Sequence, residues 1–133
     1  MRKQSATSAT RRDWLGITLS ALCIVHCAAP LILAIAGGSL AGLALFGEEW
    51  LHSVLLVLVA VVALWSLLPA FLSHRHRAPL VLAAIGVPLL LMGVMYGGAA
   101  EAPLTITGGF VLMLAHGLNW RCLASQGVLA RGS

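Results

Sequence analysis

Charged residues are scarce in this sequence. They make up 9 % of the 133 residues, while apolar residues make up 60 %; soluble domains hold about 25 % and about 45–50 % respectively. A soluble domain of this length buries too little of its surface to hide that much apolar area from water. The composition therefore excludes an ordinary soluble protein and predicts a single integral membrane domain with the lipid bilayer as its partner.

Cysteine is also scarce, and several chemical motifs are missing. Three cysteines are an odd number, which excludes a framework in which all are paired as disulfides. The sequence has no glycine-rich phosphate loop and no haem-attachment motif, so we expect neither an enzyme nor a permanent cofactor. The net charge of +4 comes from short basic clusters between apolar runs. It therefore predicts no nucleic-acid partner.

Four long apolar runs dominate what remains. Each is close to the length of about 17–25 residues that a membrane-spanning helix needs. Lipid offers no partner to unpaired backbone groups, so each run is predicted to be a helix. The predicted fold class is all-α, an integral membrane four-helix bundle. Its spans are 14–36, 51–72, 80–96 and 104–120.

The few charges alternate with the runs and predict the orientation. Arginine or lysine precedes the first run, separates the second from the third and follows the fourth, whereas the other two connections carry only glutamate. The positive-inside rule then places both termini in the cytoplasm. We expect a disordered cytoplasmic N-terminus over 1–12, a membrane domain over 13–122 and a cytoplasmic tail over 123–133.

The first run contains the stretch "LCIVHCAAP". On a helix, Cys23, His26 and Cys27 fall within an arc of about 100°, with Cβ atoms about 5–6 Å apart. Cys23 lies about 14 Å along the helix from Trp14, close to the membrane midplane. Thiolates and imidazoles bind soft and borderline metal ions, so this face predicts a metal site. A packing seam of small residues is the alternative.

Other polar residues extend this site into a path across the membrane. We expect His52 and Glu49 to collect a cation outside, His116 to receive it near the inner end, and Cys122 to lie at the inner surface. Each residue has a simpler alternative. These are a side chain at headgroup level for His52, a solvated turn for Glu49, a hydrogen bond between helices for His116 and an edge thiol for Cys122. Asp13 is predicted to be a charge that complements the helix dipole.

Two other functions stay open at this stage. The protein is a redox protein if His26 and His116 hold a haem as axial ligands, or if Cys23 and Cys27 cycle between dithiol and disulfide. It is a structural membrane subunit if the polar residues only hold the helices together.

Three stretches together resemble the MerC family of mercury-resistance membrane proteins: "DWLGITLSALCIVHCAAP", "EEWLH" and "GGFVLMLAHGLNWRC". The resemblance runs from Asp13 to Cys122. It implies a multi-pass protein of the bacterial inner membrane that takes up Hg(II) and passes it to the cytoplasm. Cys23 and Cys27 would match the family's first-span cysteines.

One feature departs from the family. Members from mercury operons carry a second cysteine pair near the C-terminus, whereas this chain has only Cys122 there. Its histidines also suit Zn(II). The expected function is therefore transport of a metal ion, Hg(II) or Zn(II), and a cytoplasmic metal acceptor and a homo-oligomer remain open as partners.

Overall fold

A computed structural model describes residues 2–37, 49–74 and 77–129. Every regular element within these ranges is a helix, and each helix holds a stretch long and apolar enough to cross a membrane. The four helices are α1 (Arg2–Ile35), α2 (Glu49–His74), α3 (Arg77–Tyr96) and α4 (Gly98–Leu129). The prediction of an all-α protein with four potential spans is confirmed.

The outer helices extend beyond the predicted spans at both ends of the chain. α1 begins at Arg2, so residues 2–12, for which the sequence predicts disorder, are helical here. This segment lacks glycine and proline and is rich in Arg, Lys, Gln and Ala, which favour helix. α4 likewise continues to Leu129 and takes in much of the expected tail over 123–133. The division into tail, membrane domain and tail stays a prediction.

Glycines in a left-handed backbone conformation end two of the helices. Gly37 follows α1 with φ of 71°, and Gly97 and Gly98 join α3 to α4 with φ of 59° and 56°. Only glycine adopts this region at no steric cost, and it is the usual residue just past a helix C-terminus. The link between α3 and α4 is therefore a tight turn, and α4 folds straight back along α3.

The helices form an up-down-up-down bundle. Each helix contacts the next one in the chain, and α4 closes the ring against α1. α2 and α4 also touch across the bundle, whereas α1 and α3 share no contact within the described ranges. This arrangement brings the middle of α1 against α4, with α2 alongside.

The outer surface of the helices is apolar, unlike that of a soluble protein, while the interior holds both apolar and polar side chains. Large apolar side chains on all four helices are more than 40 % exposed, including Val25, Leu64, Ile85 and Phe110. The buried polar side chains are Asp13, Ser20, His26, His52, Ser66, Thr105, His116 and Asn119. Polar residues of membrane helices face the bundle interior in this way, so the surface is suited to lipid.

Small residues let α3 and α4 pack closely. A Cβ atom added to Gly108 would lie 2.9 Å from the carbonyl oxygen of Gly86, and one added to Gly93 would lie 2.6 Å from the side chain of Thr105. Membrane helices commonly approach each other through such small residues. The close contact holds α4 in a fixed position against α3, and α4 carries residues of both polar clusters described below.

Candidate metal site

One face of α1 carries a buried row of small and polar residues. Asp13, Gly16, Ser20, Cys23 and Cys27 are all buried, and their spacings alternate between three and four residues. This spacing keeps them on one side of a helix. We call this row the α1 seam. It faces the interior of the bundle and links two polar clusters.

The first group, the thiol cluster, lies where the second half of α1 meets the beginnings of α2 and α4. Its members are Cys23, His26, Cys27, His52, Glu101 and Thr105. Cys23 is 0 % exposed and Cys27 is 8 % exposed, and both are free thiols. The two cysteines are four residues apart on one face of α1, which makes their side chains neighbours on the helix. The predicted cysteine–histidine face is therefore present and points inward.

His52 brings α2 to this cluster. Its Nδ1 lies 3.6 Å from the Cys27 Sγ, and its Nε2 lies 3.4 Å from Oε1 of Glu101. The second contact is within ion-pair range, but its geometry is not that of a hydrogen bond. The ring of His52 also lies 5.9 Å from the ring of His26. A thiol, an imidazole and a carboxylate from three helices thus form one continuous row.

Glu101 connects the thiol cluster to the surface. Its side chain is 39 % exposed, whereas that of His52 is 10 % exposed. The carboxylate lies beside the outer nitrogen of the His52 ring, between that ring and the surface. Sequence reasoning used Glu101 only to orient the chain. The sequence did contain a signal for Glu101. The two connections that carry glutamate are predicted on the same side of the membrane as His52, which lies near the start of α2.

The remaining predicted ligands lie elsewhere. His116 does not lie beside the thiols. Its ring packs against Gly16 and Asp13, in the first half of α1. Cys122 is partly exposed on the last part of α4. The side chain of Glu49 lies outside the described part of the chain.

The second group, the Asp13 cluster, consists of Asp13, Ser66, His116 and Asn119. Ser66 donates a hydrogen bond of 2.5 Å to Oδ1 of Asp13. Asn119 donates from Nδ2 to both carboxylate oxygens, at 3.0 and 2.9 Å, and the His116 Nδ1 lies 3.3 Å from Oδ1. Asp13 and His116 are fully buried. The cluster ties α1, α2 and α4 together about 20 Å along α1 from Cys27.

The prediction for Asp13 is therefore incomplete. It is near the start of the apolar part of α1, as expected of a dipole charge, but its carboxylate is buried and surrounded by donors from two other helices. A buried carboxylate is tolerated only when such partners satisfy it. The spacing contained a signal for this burial, because Asp13 lies on the same helical face as Cys23 and Cys27.

The geometry limits the chemistry of the thiol cluster. Within the described ranges, no three or more His, Cys, Asp or Glu side chains are placed to hold one metal ion together. A structural Zn(II) site needs four ligands in a tetrahedron, whereas Hg(II) is satisfied by two thiolates. The pair Cys23 and Cys27 therefore fits a two-coordinate soft ion better than it fits zinc.

The same geometry does not suit a haem held by His26 and His116. The His26 ring lies beside His52, whereas the His116 ring lies beside Gly16. His26 and Gly16 are ten residues apart on α1, a separation of about 15 Å along the helix. Two axial ligands of one iron must lie much closer together. This form of the redox alternative is not supported.

The fold and this site define a class, a four-helix membrane protein with a buried dithiol in the middle of its first helix. The family model described as "MerC mercury resistance protein" matches residues 13–121. The chain belongs to the MerC family, and the resemblance stated from its sequence motifs is confirmed. No significant match is found among curated proteins or among solved structures. The family supports a multi-pass membrane protein concerned with mercury.

Proposed function

We propose that the protein carries a soft metal ion, Hg(II) in the first instance, across the bacterial inner membrane into the cytoplasm. The observation that carries this proposal is the pair of free, buried thiols of Cys23 and Cys27, one turn apart at the centre of the apolar part of α1. The chemistry of this pair matches the ligand preference of Hg(II).

The proposed route begins at Glu101. This partly exposed carboxylate attracts the cation, and His52 lies between it and the Cys27 thiol. At the thiols the metal replaces two protons, because only thiolates bind it. Transfer then proceeds by exchange of ligands, without hydrolysis or a resident cofactor.

The proposed direction follows the charges. Arg11, Arg12 and Arg121 mark the end of the bundle that holds the Asp13 cluster, and the positive-inside rule assigns that end to the cytoplasm. The thiol cluster then opens to the outer side through Glu101. In this proposal Cys122, which is partly exposed near the end of α4, hands the metal to a cytoplasmic acceptor.

The test is metal binding by the purified full-length protein in detergent. Hg(II), Cd(II), Cu(I) and Zn(II) are titrated against wild type, the double variant Cys23→Ala/Cys27→Ala, and Cys122→Ala as the matched control. We expect wild type and Cys122→Ala to bind one Hg(II) tightly at the dithiol, about a hundredfold or more tighter than the double variant. Equal binding by all three proteins contradicts a primary site in the first helix.

Transport is tested separately in proteoliposomes. Uptake of Hg(II) is measured with wild type and with the double variant at equal reconstitution density. We expect uptake to depend on Cys23 and Cys27. A double variant that binds no metal yet transports it as wild type does would show that the dithiol is not on the transport route.

A further inference from the structure

Two tryptophans of different helices meet on the outside of the bundle, next to the Asp13 cluster. The ring of Trp14 on α1 lies 6.1 Å from the ring of Trp120 on α4, in an edge-to-face arrangement. Trp14 directly follows the buried Asp13 but is itself 54 % exposed. Tryptophans at the ends of membrane helices lie at the level of the lipid headgroups. The proposed metal route does not use this pair.

An exposed arginine accompanies each of these rings. Arg11 precedes Trp14 by three residues, which places both side chains on one face of α1. Arg121 directly follows Trp120 on α4, and both arginines are exposed. We call these four residues the tryptophan patch.

The two arginines of the patch lie at the same level of the bundle. Asn119 of α4 contacts Asp13 of α1. Three residues further into the bundle on each helix, the His116 ring packs against Gly16. α1 and α4 therefore run antiparallel in a matching register. Each arginine of the patch lies two residues beyond the first contact, about 3 Å along its helix, so the two charges face the same headgroup region.

Within the described ranges, no exposed acidic side chain lies beside the patch. The chain has four acidic residues. Asp13 is buried among donors, and the three glutamates precede α2 or lie in the first turns of α2 and α4, at the other end of the bundle. Neither arginine of the patch forms a salt bridge with a described carboxylate. The charge of the patch is therefore complementary to an anion.

A third arginine at this end of the bundle is turned to a different helix. The guanidinium of Arg12 lies 4.3 Å from the centre of the Trp65 ring on α2, which is a cation–π contact. Arg12 is also half-buried. It therefore joins α1 to α2, and the charge that faces outward between α1 and α4 comes from Arg11 and Arg121.

The surface below the tryptophans is apolar and has a notch. Gly117 shares a face of α4 with Trp120, and a Cβ atom added to Gly117 would meet nothing within 4 Å. On α1, Val25 lies three turns from Trp14 on the same face and is 60 % exposed. The patch thus combines two cationic groups at headgroup level with an open apolar surface beneath them.

We propose that the tryptophan patch binds one anionic phospholipid, with its headgroup phosphate held between Arg11 and Arg121. Arginine donates paired hydrogen bonds to phosphate, and basic pockets between membrane helices bind anionic lipid headgroups. The indole N–H groups of Trp14 and Trp120 are further donors at the same level. The acyl chains lie along the apolar surface of α1 and α4. This inference does not depend on metal transport.

The experiment measures lipid retention by native mass spectrometry. Full-length protein, purified and delipidated in a neutral detergent, is mixed with equal concentrations of phosphatidylglycerol and phosphatidylcholine that carry the same chains. We expect wild type to retain one phosphatidylglycerol in preference to phosphatidylcholine. An arginine near an anionic lipid surface contributes about fivefold to the attraction, so Arg11→Gln and Arg121→Gln should each weaken the preference by that factor.

Arg77→Gln is the matched control. Arg77 is also an exposed arginine and begins α3, which shares no contact with α1 within the described ranges. The control removes the same charge at a distance from the patch, and we expect it to leave the lipid preference unchanged. All three substituted side chains are exposed, so the packing of the bundle interior is kept.

Three outcomes would overturn the inference. Equal retention of the two lipids by wild type would show that the patch does not select an anionic headgroup. A loss in Arg77→Gln as large as that in Arg121→Gln would show that the arginines act only through the net charge of the protein. Displacement of the lipid by inorganic phosphate at the same concentration would show that the patch binds a free anion instead of a phospholipid.

Discussion

Asn119 holds both oxygens of the Asp13 carboxylate, at 3.0 and 2.9 Å, although 106 positions separate the two residues in the chain. Both side chains are buried. The contact joins the ends of α1 and α4 that carry most of the arginines, and Ser66 adds α2 to the same carboxylate. One buried acidic group therefore organises three of the four helices at that end of the bundle.

Replacing Asn119 by leucine should destabilise the protein markedly. The change removes the donor to both carboxylate oxygens of Asp13, and a buried polar group that loses its partner costs about 1–3 kcal/mol. The measurement is reversible unfolding of the purified protein in mixed micelles with increasing SDS. Thr18→Ala is the control, because Thr18 is exposed and its hydroxyl bonds only to the backbone of its own helix. Equal stability losses in both variants would contradict a special role for the buried cluster.

The contact between α3 and α4 predicts contrasting effects at two glycines of α4. Gly108→Ala places a methyl group 2.9 Å from the carbonyl oxygen of Gly86, whereas Gly117→Ala meets nothing within 4 Å. We expect Gly108→Ala to lower the free energy of unfolding by about 1–3 kcal/mol, as overpacking does. Gly117→Ala should leave it unchanged or raise it, because alanine favours helix. The same SDS titration checks both, and a reversed order would refute the packing described for α3 and α4.

His52 should strengthen metal binding without being essential to it. Its Nδ1 lies beside the Cys27 thiol and its other nitrogen lies beside Glu101. Partners of metal ligands of this kind typically contribute about 10–100-fold in affinity. We expect His52→Ala to weaken Hg(II) binding within that range and Cys27→Ala to weaken it more, as measured by competition with a thiol chelator. Thr107→Ala, an exposed hydroxyl on α4, is the control. A His52 variant with wild-type affinity would remove this ring from the site.

Sequence reasoning identified some parts of the molecule and missed others for physical reasons. Apolar length alone predicts the four helices, and the spacing of Cys23, His26 and Cys27 predicts their common face. Local pattern does not fix which helices touch or in what register. Asp13 was therefore missed as the partner of His116, although a hydrogen bond between helices was one of the two roles expected for that histidine. Its place on the metal path stays a prediction.

The register explains a second difference. His52 was expected to act with Glu49, whose side chain lies outside the described part of the chain; the acidic neighbour that the structure describes is Glu101, from the other acidic connection. Sequence proximity favours the first pairing, whereas the second arises because α2 and α4 run parallel and touch across the bundle, with both side chains near the starts of their helices. The burial of Asp13 could have been predicted from the residue spacing along the α1 seam. Asp13 shares the three- and four-residue spacing that placed Cys23 and Cys27 together, and the same argument extended by three turns predicts its burial.

The proposed orientation can be tested with the single thiol of α4. In the background Cys23→Ala/Cys27→Ala, Cys122 is the sole cysteine, and it is partly exposed near the end of the bundle assigned to the cytoplasm. A membrane-impermeant maleimide should label it in inverted vesicles and not in intact spheroplasts.

The matched control adds Ala100→Cys to a variant that lacks all three native cysteines. Ala100 is exposed at the start of α4, so its thiol should be labelled in spheroplasts and not in inverted vesicles. The opposite pattern at both positions would place the termini outside, and Glu101 would then open to the cytoplasm. In that case the same dithiol would be loaded from within the cell, and the proposed direction of transport would reverse.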